Sequence, residues 1–264
     1  AEGRGTVLHK SGGTIAAVRN HGWHNAKGDI LAFLDGDSVV EPEWLSTGLQ
    51  LLHSDVDISG VGFVIAQPES TESWVERTWF HISSSGKHSG TKTISWLSSF
   101  NLLLRRDYFE LVGGFDASLV TCEDADLGNR LSAISRLVLS DRCRVQHLGT
   151  VKSVKEFLRK EYWRGQSSLL SFMKNKHSSK EFLSVLVPAF YIVMCILWMV
   201  LALLAIFAGQ GAPVLTSMTI LLVLLPFMLA LRAGVRTPAR LMSTSALYAL
   251  YLSARGVAIV CFRI

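Results

Sequence analysis

The chain has 264 residues, 49% of them apolar and 18% charged, with a mean hydropathy of +0.33. That length holds one large or two modest domains, and the apolar excess, concentrated after residue 182, excludes an ordinary soluble protein. The net charge of +5 comes from basic residues beside the apolar runs, which suits anionic lipid headgroups and no nucleic acid. Cys122, Cys143, Cys195 and Cys261 show neither zinc nor disulfide spacing, a pattern that fits a reducing cytoplasm.

The chain opens on Ala1 with no signal-peptide pattern, so further residues are expected upstream. Residues 1–5 read as loop and Thr6–His9 as a strand. Gly12-Gly13 leads into a helix over Thr14–Ala26, and Ile30–Leu34 is a short apolar run of the buried-strand kind. Glu41-Pro42 starts a helix, with proline where no N–H is needed and Trp44, Leu45, Leu49 and Leu52 as its apolar face. Ile58–Ala66 reads as strand, residues 81–93 as a mobile loop, and Ser95–Leu104 as extended chain. Asp107–Val112 is a helical turn stopped by Gly113-Gly114. Glu123–Ile134 is an amphipathic helix, with Leu127, Leu131 and Ile134 on one face, and a further amphipathic helix runs over 153–170.

Beyond about residue 175 the pattern changes. Residues 183–208 are almost uncharged, and as a helix they reach about 39 Å, enough for a ~30 Å hydrocarbon core. A second run, 214–231, has about the minimum spanning length. Lys174, Lys176 and Lys180 precede the first run, and Arg232, Arg236 and Arg240 follow the second. The positive-inside rule then puts both flanks in the cytoplasm and the connector 209–213 outside, a multi-pass hairpin in the inner or plasma membrane. Two buried core helices are the alternative. Residues 241–262 carry Arg255 near their middle, which favours an interfacial helix over a third span.

Two acidic clusters stand out in the first part. Asp35 and Asp37 follow the Ile30–Leu34 strand, separated by Gly36. Alternate residues of a strand point the same way, so the two carboxylates would face one ligand where α/β sheets bind theirs. Paired hard oxygen donors suit Mg²⁺ or Mn²⁺ bound together with substrate phosphates. A plain strand-end turn is the competing explanation. Glu123, Asp124 and Asp126 open the amphipathic helix, where acids also serve simply to complement the helix dipole.

Taken with Asn101-Leu-Leu-Leu-Arg-Arg, the motifs Ala17-Val-Arg-Asn-His-Gly-Trp, Gly28-Asp-Ile-Leu-Ala-Phe-Leu-Asp-Gly-Asp, Val112-Gly-Gly-Phe-Asp and Glu123-Asp-Ala-Asp-Leu-Gly-Asn-Arg-Leu resemble, in order and spacing, a family 2 glycosyltransferase. His147-Leu-Gly and Tyr162-Trp-Arg-Gly fall where such enzymes carry similar residues. The resemblance implies an α/β, GT-A (Rossmann-like, nucleotide-diphospho-sugar transferase) domain over residues 1–175, with its first βα units missing, and a membrane region over 176–264. It implies an inverting enzyme that moves a sugar from a nucleotide-diphosphate donor to a glycan or lipid-linked acceptor near the membrane, in cell-envelope or exopolysaccharide synthesis.

Site roles follow from the same resemblance. Asp35 would contact ribose or metal, and Asp37 would ligate the divalent cation at the diphosphate. Asp124 would be the base for the acceptor hydroxyl, with Glu123 the second candidate. Such a base at a helix N-terminus is expected to have a lowered pKa. His147 is a third metal-ligand candidate or else a packed histidine. Arg19 and Asn20 would fix the loop around the nucleotide or else decorate the helix surface. Trp163 and Arg164 would cover diphosphate or acceptor, with Arg164 on phosphate, or else anchor the helix at the interface. Trp96 and Phe100 would line the acceptor side or else pack in the core.

The family's nucleobase-holding first strand and turn have no counterpart here. The Gln-x-x-Arg-Trp signature of processive synthases is also absent, Tyr162-Trp-Arg-Gly-Gln being a loose analogue, so transfer of single sugars is expected. Two other functions compete. Apolar-strand-Asp-x-Asp also occurs in Mg²⁺-dependent haloacid-dehalogenase-type phosphoryl-transfer enzymes, which need a downstream Lys and a further acidic pair after a strand. A non-catalytic membrane partner retaining the fold is the third possibility.

Overall fold

A computed structural model describes residues 5–66, 73–83, 90–174, 179–208 and 212–261. The chain folds as two units, Ala1–Ala66 with His88–Gly149 and Gln67–Lys87 with Thr150–Ile264.

The first unit contains α1 (Ile15–Asn25), β1 (Ile30–Leu34), β2 (Ser38–Val40), α2 (Trp44–Ser54), β3 (Ile58–Ile65), β4 (Lys92–Ile94), β5 (Asn101–Arg105), α4 (Arg106–Leu111), α5 (Glu123–Ser132) and β6 (Arg136–His147). The second contains α3 (Trp74–Ser83), α6 (Val154–Gly165), α7 (Ser168–Lys174), α8 (Ser179–Ala208), α9 (Ala212–Arg232) and α10 (Pro238–Val260).

In the first unit the strands form one mixed sheet in the order β1-β5-β3-β6-β2, with β4 also on β6. Among the described residues only β3 and β6 pair in parallel, and their register shifts between Ile58 and Gly60 and again between Phe63 and Val64. The sheet has a core on each face, and β5 shows why. Leu102 and Leu104 join Ala16, Leu31, Phe109, Phe115, Leu127 and Leu131 under α1, α4 and α5. Leu103, one residue out of phase, joins Trp44, Leu51, Leu52, Val61 and Phe63 under α2. Strand side chains alternate between faces, so five residues of β5 serve both cores.

Several local expectations are corrected. Thr6–His9 forms no strand. Among the described residues β1 pairs on one side only, with β5, and exposes Ala32 and Leu34, so its apolar run reflects an edge rather than a buried strand. The second helix begins at Trp44, after the Pro42 turn, and buries Trp44, Gly48, Leu51 and Leu52; Leu45 is exposed. Residues 81–83 end α3 and 92–94 form β4, while 84–89 of the expected loop lie outside the described residues. The 95–104 stretch becomes strand only from Asn101. Ile134 falls beyond α5 and is exposed. The 153–170 helix is broken into α6 and α7. Gly113 and Gly114 do stop α4, both at positive φ (79° and 72°) that a side chain would resist.

In the second unit α10 packs against α3, α6, α8 and α9. Val75, Val151, Phe157 and Leu247 form its core. Trp198 Nε1 donates to Thr219 Oγ1 at 2.9 Å, tying α8 to α9. Among the described residues one helical stretch, Phe182–Phe207, is long and apolar enough to cross a membrane; the apolar part of α9, Met218–Arg232, is shorter. Residues 1–4, Lys176 and most of the 209–213 connector lie outside the described residues.

Candidate functional site

Asp35, Gly36 and Asp37 sit in the turn between β1 and β2, closed by the Ser38 N–H donating to the Asp35 carbonyl at 3.0 Å. Strand alternation therefore does not govern the two carboxylates, and each meets a different partner. Arg19, on α1, donates through Nη2 to Asp35 Oδ1 at 2.8 Å and through Nη1 to Glu123 Oε1 at 2.6 Å. A planar guanidinium presents donors in a fork, which lets one side chain hold two carboxylates. The Arg19 side chain is 13% exposed, Glu123 9% and Asp35 41%. Arg19 thus joins two acidic clusters far apart in sequence into one site.

Asp37 faces His147, the last residue of β6, with Oδ1 3.7 Å from Nε2. Antiparallel pairing of β2 with β6 places Ser38 opposite His147, and the Asp37 carbonyl accepts the Leu148 N–H at 2.8 Å. Phe100 stacks edge-on against the imidazole at 4.9 Å. Gly149 lies so close that a Cβ there would stand 2.1 Å from Asp37 Oδ2. The Ser38 Oγ is buried with no hydrogen-bond partner. No group of three or more His, Cys, Asp or Glu residues among those described forms a ready cation cage. Asp37, His147 and the space kept by Gly149 fit a cation that draws its remaining ligands from phosphate oxygens and water, as Mg²⁺ commonly does.

Glu123 and Asp124 start α5 directly after Cys122, the one non-glycine residue at positive φ (66°) among those described. Such a conformation costs of order 1–3 kcal/mol and persists where surrounding contacts enforce it. Asp124 Oδ1 accepts the Ala125 N–H at 2.8 Å. Burial, followed by the neighbouring Glu123 charge, nevertheless raises the Asp124 pKa to about 6, against the lowering influence of backbone N–H groups and Arg19. The expected depression of this pKa is corrected, because desolvation outweighs the helix N-terminus. Asp126, on the next turn, is buried and held by Arg130, whose Nη1 also donates to the Val112 carbonyl.

The remaining candidates divide. Asn20 donates to the Phe115 carbonyl (2.7 Å) and accepts from the Phe115 N–H (3.0 Å) and Trp23 Nε1 (3.2 Å), so it stitches α1 to the Gly113-Gly114-Phe115 segment. Trp96 is 44% exposed and its Cβ lies against Gly128 of α5. Trp163 and Arg164 belong to α6 in the second unit, where Arg164 pairs with Glu161. Ser38 and Gly149 carried no signal of their own: Ser38 is an ordinary strand residue in sequence, and Gly149 is recognisable only inside His147-Leu-Gly.

The family model for glycosyl transferase family 2 matches residues 1–113. That match covers less than half of the chain and marks residues 1–113 as similar to family 2 glycosyltransferases. The O-antigen biosynthesis protein RfbC of Myxococcus xanthus is 30% identical over 168 residues, 56% of this chain and 13% of that protein. The chain therefore spans a small part of the curated relative it matches. The mannosyltransferase PcManGT of Pyrobaculum calidifontis, solved with GDP-Man and Mn²⁺, aligns with a TM-score of 0.54 at 17% identity, over 98% of this chain and 68% of that one. At that identity the likeness establishes the fold alone, a GT-A architecture with mixed α/β content.

Proposed function

We propose that the chain is an inverting glycosyltransferase that moves a single sugar from a nucleotide-diphosphate donor to a glycan or lipid-linked acceptor at the membrane surface. The Arg19 bridge carries this reading: it joins the Asp35 end to the Glu123-Asp124 end of one site. Inverting transfer needs those two ends, a place for the diphosphate and a base for the acceptor. The family match and the O-antigen relative support a role in cell-envelope glycan synthesis.

Asp124 takes the proton of the acceptor hydroxyl as that oxygen forms its bond to the anomeric carbon, and the bond from that carbon to the diphosphate breaks. With a pKa of about 6, Asp124 is ionised at neutral pH yet basic enough to accept a proton in the transition state. Glu123 is committed to Arg19, which leaves the base role to its neighbour. Asp35 orients the donor from its Arg19-held position. Asp37 and His147 would hold a divalent cation, Mg²⁺ or Mn²⁺, which when bound would neutralise charge developing on the leaving diphosphate. Trp96 lines the acceptor side next to α5. The helix α8 spans the inner or plasma membrane, paired with α9 as a hairpin, with Lys174 and Arg232 on the cytoplasmic side.

The test is a thermal-shift screen of the full chain in detergent against UDP-, GDP- and dTDP-sugars with Mn²⁺, since a ligand of the folded state raises its stability by mass action. One donor class is expected to stabilise the protein, and Asp37→Ala to abolish metal-dependent donor hydrolysis. Stabilisation by none of them, together with wild-type behaviour of Asp37→Ala and Asp124→Asn, overturns the reading.

A further inference from the structure

Ser38 Oγ is the one side-chain polar atom among the described residues that is buried without a hydrogen-bond partner. Leaving a buried hydroxyl unpaired costs free energy, so such an atom calls for a reason. Ser38 opens β2 directly after Asp37.

Its surroundings follow from the pairing of β2 with β6. Val40 stands opposite Val145, and Ser38 opposite His147. Val40 and Val145 both pack in the core under α2. Ser38 and His147 lie two residues further along their strands, so their side chains share that face. Phe100 packs against the same core and meets the His147 imidazole edge-on at 4.9 Å. The Leu148 N–H donates to the Asp37 carbonyl at 2.8 Å, one step beyond the Ser38–His147 pair. That bond marks Ser38 and His147 as a non-hydrogen-bonded pair, the kind whose Cα atoms stand about 4.5 Å apart and whose side chains meet.

The two ring nitrogens of His147 are then not equivalent. Nε2, at the far end of the ring, faces Asp37 Oδ1 at 3.7 Å. Nδ1 lies next to Cγ, near the backbone, on the part of the ring that a cross-strand serine can reach. An imidazole that ligates through Nε2 carries its proton on Nδ1, and that N–H almost always has an acceptor. A hydroxyl can accept, and rotation about χ1 moves Ser38 Oγ among three staggered positions.

We propose that Ser38 is a positioning residue of the cation site: its Oγ accepts the Nδ1–H of His147 when Nε2 binds the divalent cation. Phe100 sets the plane of the ring, and Ser38 sets its tautomer, so that Nε2 presents a lone pair beside Asp37. The inference rests on the assignment of Asp37 and His147 to the cation made above, and extends it to the residue behind the ligand. Asp37, Ser38, Phe100 and His147 all belong to the first unit.

The experiment titrates the full chain in detergent with Mn²⁺ alone and reads free Mn²⁺ by electron paramagnetic resonance, without donor or turnover. Asp37→Ala and His147→Ala are expected to weaken binding most. Ser38→Ala should weaken it by about tenfold, the scale of losing an outer partner of a metal ligand. Ser38→Thr, which keeps the hydroxyl, should recover part of that loss. Ser38→Ala combined with His147→Ala should add nothing to His147→Ala alone, the signature of residues acting in series. Melted in EDTA, Ser38→Ala should be at least as stable as wild type, because it loses no hydrogen bond there. Nitrogen-15 NMR of histidine-labelled protein in Mg²⁺ reads the tautomer, with the His147 signals identified by their loss in His147→Ala. The Nδ1–H form is expected in wild type and a mixture in Ser38→Ala. Wild-type Mn²⁺ affinity in Ser38→Ala, with weakened binding in His147→Ala, overturns the inference and leaves the cation reading standing. Unchanged affinity in both Asp37→Ala and His147→Ala, or no Mn²⁺ bound by wild type, overturns both.

Discussion

The two units each contain an arginine–carboxylate network, and the stoichiometries are opposite. In the first unit one arginine, Arg19, is shared by two carboxylates, Asp35 and Glu123, with Asp124 and Asp37 nearby. In the second, one carboxylate, Glu161, is shared by two arginines, Arg164 and Arg255. The first cluster carries excess negative charge, which suits a divalent cation and a proton acceptor. The second carries excess positive charge, which suits phosphate. In the second network the shared Glu161 is fully buried, whereas in the first the outer Glu123 is at least as buried as the shared Arg19; in both an outer member is more exposed. Burial makes the central ion dependent on its partners, and those partners are thereby held in place.

The contrast predicts a graded series of effects. Asp124→Asn strikes the acidic network hardest: transfer should fall on the order of a thousandfold, while donor binding, read by thermal shift, stays near wild type. The same variant should be more stable at pH 7. The Asp124 pKa is raised in the fold, from 3.8 to about 6, so its contribution to stability is full below about 3.8 and is lost as pH rises through about 6. At pH 7 the ionised, desolvated carboxylate is a cost of roughly 1–3 kcal/mol that Asn removes; denaturant titrations at pH 5 and pH 8 measure it, and the gain should be larger at pH 8.

Gly149→Ala comes next. Its Cβ would occupy the place of Asp37 Oδ2, so apparent Mn²⁺ affinity in a donor-hydrolysis titration should weaken by about 10–100-fold. A wild-type titration would remove Asp37 from the cation site. Arg19→Lys should reduce transfer by about tenfold, because an ammonium lacks the fork that serves Asp35 and Glu123 together. The pH–rate profile of the wild-type protein should rise through about pH 6 and then level, because the base must lose its proton. A flat profile between pH 5 and 7.5 counts against Asp124. The smallest effect is expected for Trp96→Ala, a few-fold rise in acceptor KM with donor hydrolysis unchanged.

Much of this was readable from residue order. The helix over Ile15–Asn25, the strand at Ile58–Ile65, the glycine stop after α4 and the acidic start of α5 all follow from local patterns. Such patterns are set by backbone propensity and side-chain period, which act within a few residues. The resemblance to family 2 glycosyltransferases pointed to Asp35, Asp37, Glu123 and Asp124, which follow the Ile30–Leu34 strand or open α5. The long strand β6 and helix α3 escaped notice. The exposed, charged positions of β6 break its apolar run, as its alternating burial shows, and α3 borders the stretch rich in Ser and Gly.

Pairing across distance was not readable. Nothing local says that Arg19 holds Asp35 and Glu123 at once, that Asn20 is spent on the Phe115 backbone, or that β1 is an edge strand. Nor does a motif reveal that Arg255 answers Glu161. Residue types and their spacing carried the resemblance to family 2 glycosyltransferases and marked the acidic clusters and the apolar C-terminal run. Tertiary packing assigned each charge its partner and pushed the Asp124 pKa upward instead of down. Desolvation and Coulomb terms depend on which groups the fold brings within a few ångströms, a distance that separation along the chain does not encode.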